Sequence, residues 1–308
     1  MSRGPVVALL GLALLSSACG SPTTAASPAP PPPSPAPSGV TGCEVRPGGA
    51  AGPVTDPSGP FYHQVAVAPT DDGVRIGAAR QVLDHASVPD GVRTAQGDVL
   101  VYYVNGLDGG VWVARIDGPS ASSLGPISID GVSAPAGVVD PDATRLPDGR
   151  IRLAYLSGFG TPGASGARAM CLADSTDGIR FTVVGPAMRL PENEVITDPS
   201  LLRLADGTWL MAMSRGQQTV LARSADGLSF TTYDTVSYGG VPEVAPAPGG
   251  RVRLYVCARG IESYLSADAG RTWSREATVV PSGTLGRSLV CDPSFVDGAS
   301  LFVFKTAN

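Results

Sequence analysis

A strand–hairpin–strand segment recurs five times along this chain, and a repeat constrains a fold more tightly than composition can. Four copies align without gaps on a hairpin glycine: VPDGVRTAQGDVLVYYV (88–104), DPDATRLPDGRIRLAYL (140–156), DPSLLRLADGTWLMAMS (198–214) and VPEVAPAPGGRVRLYVC (241–257). A fifth, DPSFVDGASLFVFKT (292–306), has a hairpin two residues shorter. The starts at 88, 140, 198, 241 and 292 lie 51 residues apart on average. Each copy reads as a strand, a turn containing Asp-Gly or Gly-Gly, and an apolar strand.

A second series of turns falls between the copies. SADAGRTW (266–273) matches the Asp-box pattern S-x-D-x-G-x-T-W, and STDGIRF (175–181) and SADGLSF (224–230) are shortened variants. RIDG (115–118) and TDDGVRI (70–76) are weaker relatives. The repeat therefore holds four strands: a, hairpin, b, loop, c, Asp turn, d. That is a β-propeller blade. The fifth copy stops after its strand b, and the missing strands are supplied by FYHQVAVAPTDDGVRIGAARQVL (61–83). The expected fold is an all-β, five-bladed β-propeller of four-stranded blades, its ring closed by N-terminal strands that complete the last blade. Closure of this kind leaves no open ring edge. With 39 glycines and 29 prolines in 308 residues, the composition suits short strands and tight turns, and only 16% charged residues excludes a coiled coil or long helical array.

The first forty or so residues stand outside this pattern. Residues 1–19 read as an export signal: Arg3, a ten-residue apolar stretch from Val6 to Leu15, and LSSAC ending at Cys19. The apolar stretch is too short to span a bilayer. The ending resembles a bacterial lipoprotein cleavage site, which makes Cys19 the lipidation residue and the chain an extracytoplasmic protein anchored to the membrane through its N-terminal lipid only. The alternative is an ordinary secretory signal. Residues 20–42, rich in Pro, Ala and Ser, form an extended tether. The propeller domain is expected over 43–308.

Four further cysteines agree with export, since an even number in an oxidising compartment points to two disulfides. Strand b of the fourth blade and the start of the fifth are neighbours, which pairs Cys257 with Cys291 and leaves Cys43 with Cys171. No cysteine pair has metal-site spacing, and there are only two histidines, His63 and His85, so no metal and no cofactor are expected. The net charge of −5 argues against nucleic acid. A monomer is expected.

Propeller geometry assigns two faces. The strand-a starts, the b–c loops and the d–a connections share one mouth of the central channel, while the a–b hairpins and Asp turns lie on the other face. The Asp turns are accordingly read as structural. Arg145 and Arg203, three residues before Asp148 and Asp206, are read as structural partners on that hairpin face. The functional mouth should carry Asp140, Asp198 and Asp292, with Asp90, Asp142 and Glu243 one step inward. Carboxylates crowded round one channel repel one another, which separates their pKa values into acid and base roles. Arg215, Arg259 and Arg287 lie on loops at the same mouth, as do Glu192 and Glu194; the three arginines, with Asp90, Asp142 and Asp292, are candidates for substrate binding, the arginines by bidentate contact with a carboxylate or sulfate, or else for pairing with the acids. Phe159, Tyr238 and Tyr62 are candidate sugar-stacking surfaces. The loop GFGTPGASG (158–166) lacks the lysine of a phosphate loop.

The runs VVDPDATRLPDGRIRLAY and ITDPSLLRLADGTWLMAMS resemble the blade-opening motifs of five-bladed glycoside hydrolases of the arabinanase, arabinofuranosidase and β-xylosidase type. The resemblance implies glycan hydrolysis with Asp140 as general base, Asp198 as the modulator of pKa and orientation, and Glu243 as general acid. Gap-free alignment puts Val241, not Glu243, opposite Asp140 and Asp198, so Glu243 needs a two-residue shift. The Asp boxes resemble those of sialidases, in which Arg215, Arg259 and Arg287 would imitate an arginine triad, but the Arg-Ile-Pro opening motif is absent. The readings in order are an extracytoplasmic glycoside hydrolase acting on cell-envelope or environmental carbohydrate, a non-catalytic propeller that binds glycan or protein in the envelope, and a sialidase-like exo-glycosidase.

Overall fold

The computed structural model describes Cys43 and residues 58–130, 139–157, 168–191 and 194–308. The export signal, Cys19, the tether, Phe159, Glu192 and the loop 158–166 lie outside the described residues.

Five antiparallel blades form a ring. In chain order, β1 (Gln64–Pro69) and β2 (Arg80–Asp84) come first. Blade 1 is β3 (Ala86–Arg93), β4 (Val99–Asn105), β5 (Val111–Asp117) and β6 (Ser120–Pro126). A short β7 (Ser128–Asp130) precedes blade 2, which is β8 (Val139–Arg145), β9 (Ile151–Ser157), β10 (Ala169–Ser175) and β11 (Arg180–Arg189). Blade 3 is β12 (Thr197–Arg203), β13 (Trp209–Arg215), β14 (Gln218–Ser224) and β15 (Thr231–Val236). Blade 4 is β16 (Gly240–Ala247), β17 (Arg251–Ala258), β18 (Gly260–Ser266) and β19 (Ser274–Pro281). Blade 5 joins the two ends of the described chain: β20 (Leu289–Val296) and β21 (Leu301–Ala307) pair with β1 and β2 in the order β2-β1-β21-β20. The closing register runs from Gln64 opposite Thr306 to Pro69 opposite Leu301. The sequence repeat anticipates all five blades and the closure. It does not anticipate β7, which adds a fifth strand to blade 2 by pairing parallel with β11.

The apolar alternation of each blade is buried against its neighbours, so the core is divided among the five blade interfaces. Tyr102, Leu153, Tyr155 and Phe181 fill the first interface, and Leu156, Met170, Trp209 and Met211 the second. Leu210, Leu221, Leu254 and Val256 fill the third, Tyr255, Phe302 and Phe304 the fourth, and Val65, Val67, Val101 and Val303 the last. Both expected disulfides, Cys43–Cys171 and Cys257–Cys291, are present. Among the described residues no helix is long and apolar enough to cross a membrane.

The Ser-x-Asp turns join strands c and d and stitch blades together. In blade 2, Asp177 Oδ1 accepts from the amides of Ile179 and Arg180, and Ser175 Oγ accepts from Gly178. Blade 3 repeats this with Asp226 and Ser224, and blade 4 with Asp268 and Ser266. Blade 5 uses Thr70 and Asp72. The turn glycine must be glycine: Gly178 has φ +75°, and a Cβ there would lie 3.0 Å from the hydroxyl of Tyr102 in blade 1, which donates to the Gly178 carbonyl at 2.8 Å. Tyr255 does the same for Gly73 across the fourth interface, at 2.7 Å.

Candidate functional site

Each inner strand begins with an X-Pro pair, and X takes the same unusual backbone in all five blades. Val88, Asp140, Asp198, Val241 and Asp292 have φ between +46° and +54°. Residues before proline ordinarily sit in the extended region, and a β-branched valine at positive φ is strained. In every blade this residue coincides with a break in pairing register between strands a and b, as between Val139 and Asp142. The five bulges form one ring, and they put the X side chains at the mouth of the channel.

Two layers of side chains result. The mouth layer is Val88, Asp140, Asp198, Val241 and Asp292. The residue after each proline forms the layer beneath: Asp90, Asp142, Ser200, Glu243 and Ser294. Gap-free alignment therefore gives the correct layer for Glu243. It lies with Asp90 and Asp142, not beside Asp140 and Asp198.

The lower layer is a closed circuit of hydrogen bonds. Asp90 Oδ2 accepts from the amide of Ala143 in blade 2 at 2.6 Å, and Asp142 Oδ2 from Leu201 in blade 3 at 3.1 Å. Ser200 Oγ accepts from Val244 in blade 4 at 3.0 Å, Glu243 from Phe295 in blade 5, and Ser294 Oγ from Gly91 in blade 1 at 2.9 Å. Each side chain thus takes the amide of the equivalent position in the next blade, and the fifth bond returns to the first blade. Ser200 also donates to Glu243 Oε2 at 2.7 Å. All five residues are buried. Burial, and repulsion among themselves, pushes the Asp142 and Glu243 carboxyls well up, and burial pushes Asp90 up to about 6. Asp90, Asp142 and Glu243 each offer an oxygen within 4.8 Å of the others, which is the one arrangement among the described residues spaced to hold a cation. Their oxygens already serve the circuit.

The mouth layer is chemically different. Asp140 Oδ2 accepts from the Asp198 amide at 3.3 Å, and Asp198 Oδ2 accepts from Thr197 Oγ1 at 2.6 Å. Asp292 forms an ion pair with Lys305 of β21, the only lysine in the chain. Burial and the neighbouring Asp198 and Asp292 charges push Asp140 well above the ordinary carboxylate range. Burial and Asp292 push Asp198 up to about 6, against the pull of Thr197 and Lys305. The layer thus contains carboxyls inclined to keep a proton beside one paired to a cation, the inequality that acid–base chemistry requires.

The sequence-derived arginines do not form a cluster here. Arg215 pairs with Glu194 at 3.2 Å and bonds Gln218, Arg287 bonds Gln81 at 3.3 Å, and Arg259 is exposed. None lines the mouth among the described residues. The positive charge at the mouth is Lys305, which sequence reasoning missed. Its signal was available: a single lysine set within an otherwise apolar strand, LFVFKTA. Tyr238 is stacked on Tyr264 with ring centroids 4.2 Å apart, while Tyr62 is exposed beside Phe61. Arg145 and Arg203 are not partners of the hairpin aspartates. Asp148 bonds Arg150 at 2.8 Å, and Asp206 bonds Thr208 at 2.7 Å.

No profile of a known protein family matches the chain, and no curated protein matches its sequence. Solved structures do match it. An α-L-arabinofuranosidase from Clostridium thermocellum superposes with a TM-score of 0.55 at 15% identity, covering 71% of this chain and 80% of its own. The fold is that of the five-bladed glycoside hydrolase propellers. A thermostable family-43 glycoside hydrolase gives a TM-score of 0.56 at 13% identity, over 72% of this chain and 88% of its own. A protein of unknown function from Dyadobacter fermentans gives 0.57 at 16%, over 82% and 85%.

Proposed function

We propose that the protein is an extracytoplasmic glycoside hydrolase whose mouth layer performs the acid–base chemistry. The observation that carries this reading is the inequality among Asp140, Asp198 and Asp292. Asp140, its carboxyl pushed well above the ordinary range by burial and by its acidic neighbours, has the character of a general acid able to protonate a leaving glycosidic oxygen. Asp292, paired with Lys305, is the carboxylate suited to activate water or attack the sugar. Asp198, linked to Asp140 through its amide, tunes both. These roles differ from those that the family resemblance implies, in which Asp140 is the base and Glu243 the acid. The hydrogen-bond circuit supports a structural part for Glu243, because its carboxylate is taken up by Ser200 and Phe295. Two disulfides and the leader resembling a lipoprotein signal favour work outside the cytoplasm, on envelope or environmental glycans.

The test is hydrolysis of a panel of aryl arabinofuranosides, xylosides and sialosides by the wild type, Asp140→Asn, Asp292→Asn and Glu243→Gln. The reading expects activity on at least one neutral glycoside, lost in both aspartate variants and retained in Glu243→Gln. Loss in Glu243→Gln with normal melting would return the acid role to Glu243. No activity on any substrate would favour a binding propeller.

A further inference from the structure

The larger cavity of the channel lies at the opposite end. Beneath the hydrogen-bond circuit lies a funnel of about 250 Å³ among the a–b hairpin ends of the inner strands, against about 20 Å³ at the mouth among the described residues. Its floor is Asp142 and Glu243, and apolar residues including Leu201 and Phe295 form its wall. Its rim carries Arg93, Arg145 and Arg203, each three residues beyond the circuit position of its blade. The blades are consecutive, so the three guanidiniums form an arc. All three are exposed, and none has an ion-pair partner among the described residues. Arg93 and Arg203 lie against their own hairpin glycines, Gly97 and Gly207, which puts their charged ends at the rim.

We propose that this funnel is a second ligand site, on the hairpin face, for a singly charged hydroxy-carboxylate of monosaccharide size such as a uronate. Unpaired guanidiniums at a cavity rim match a carboxylate in bidentate geometry. The wall sets apolar side chains such as Leu201 and Phe295 among polar groups such as Thr144, a mixture that suits a hydroxylated ligand. The floor presents buried carboxyls whose remaining lone pairs can meet hydroxyl groups of a ligand. Asp297, exposed on the rim, repels a second negative charge, and this disfavours a phosphate dianion. The site is independent of hydrolysis at the mouth, because the circuit separates the two.

Calorimetric titration of the full chain with D-glucuronate, D-glucose and inorganic sulfate tests this. Saturable binding of glucuronate is expected, with none for glucose and weaker binding for sulfate. Arg145→Gln and Arg203→Gln should each weaken glucuronate binding by about tenfold, the value of one charge-assisted pair. Arg145→Lys should fall between, and Asp140→Asn at the far mouth should bind as the wild type does. Thermal melting of each arginine variant should match the wild type, since the side chains are exposed. The proposal is overturned if glucuronate does not bind, if glucose binds equally, or if sulfate matches glucuronate, which would make the rim a plain anion patch. Unchanged binding in the arginine variants would overturn it as well, as would loss of binding in Asp140→Asn alone.

Discussion

The two ends of the channel are built from the same five strands, yet they carry opposite chemistry. The mouth displays Asp140, Asp198 and Asp292 with one lysine, in a space of about 20 Å³. The hairpin end displays Arg93, Arg145 and Arg203 round a funnel of about 250 Å³. Between them runs the circuit of Asp90, Asp142, Ser200, Glu243 and Ser294, whose bonds all run in one sense round the ring. The difference teaches that equivalent positions in a repeat need not share a role. A carboxylate in the circuit is held by an amide of the next blade, and so is Asp140 at the mouth, whereas Asp198 takes the hydroxyl of the adjacent Thr197 and Asp292 pairs with Lys305.

The largest expected effect separates mouth from circuit by activity. Asp140→Asn and Asp292→Asn should each lower hydrolysis by about 10²- to 10⁴-fold, the usual worth of a positioned acid or base. Steady-state rates on the best aryl glycoside of the panel measure this. Full activity in Asp140→Asn would mean that the mouth is not the hydrolytic end, and the contrast between the two layers would lose its meaning.

Stability should separate them in the opposite direction. Glu243→Ala strips the Phe295 amide and the Ser200 hydroxyl of their partner inside a buried layer, at a cost of about 2–4 kcal/mol. Glu243→Gln keeps an acceptor and should cost less than about 1.5 kcal/mol. Urea melts of the two variants read the difference. Equal stability in Glu243→Ala and the wild type would show that the circuit contributes nothing.

Much of this was legible in the sequence, and the misses share a cause. The five copies, the Asp turns and the closure by residues 61–83 follow from local spacing, so five blades and both disulfides could be read directly. The layer of each acid was also legible, because the X-Pro pair sits at the same place in every copy. Shifting Glu243 by two residues to meet a family pattern moved it into the wrong layer. Which charged side chains pair within a blade was not legible. Arg145 looked like a partner for Asp148, three residues on, but Arg150 takes that carboxylate and also reaches Asp174 at 2.7 Å. Lys305 joins the mouth from strand b of the blade that closes the ring, where it meets the start of strand a. The parallel strand β7 has no counterpart in other copies, so the repeat could not announce it.

Dependence on pH sets the mouth against the hairpin face. Asp198 has its carboxyl raised to about 6 in the fold from an ordinary 3.8, so the folded state holds a proton that the unfolded chain releases first. Its contribution to stability is fully present below pH 3.8 and is lost as the pH rises through 6. The turn carboxylates of the hairpin face, Asp72, Asp177 and Asp226, are lowered by hydrogen bonds, chiefly from backbone amides, so their contribution is present above the ordinary carboxylate range and is lost on acidification. Asp198→Asn removes only the first of these slopes, and its amide oxygen can still accept from Thr197. The variant should therefore be more stable than the wild type at pH 7.5, by about 3 kcal/mol for a rise from 3.8 to about 6, and most of the gap should close by about pH 4. Melts at four pH values between these limits measure it. A gap that does not change with pH would mean that Asp198 is not raised by its neighbours, and that the acids at the mouth do not repel one another enough to divide into acid and base.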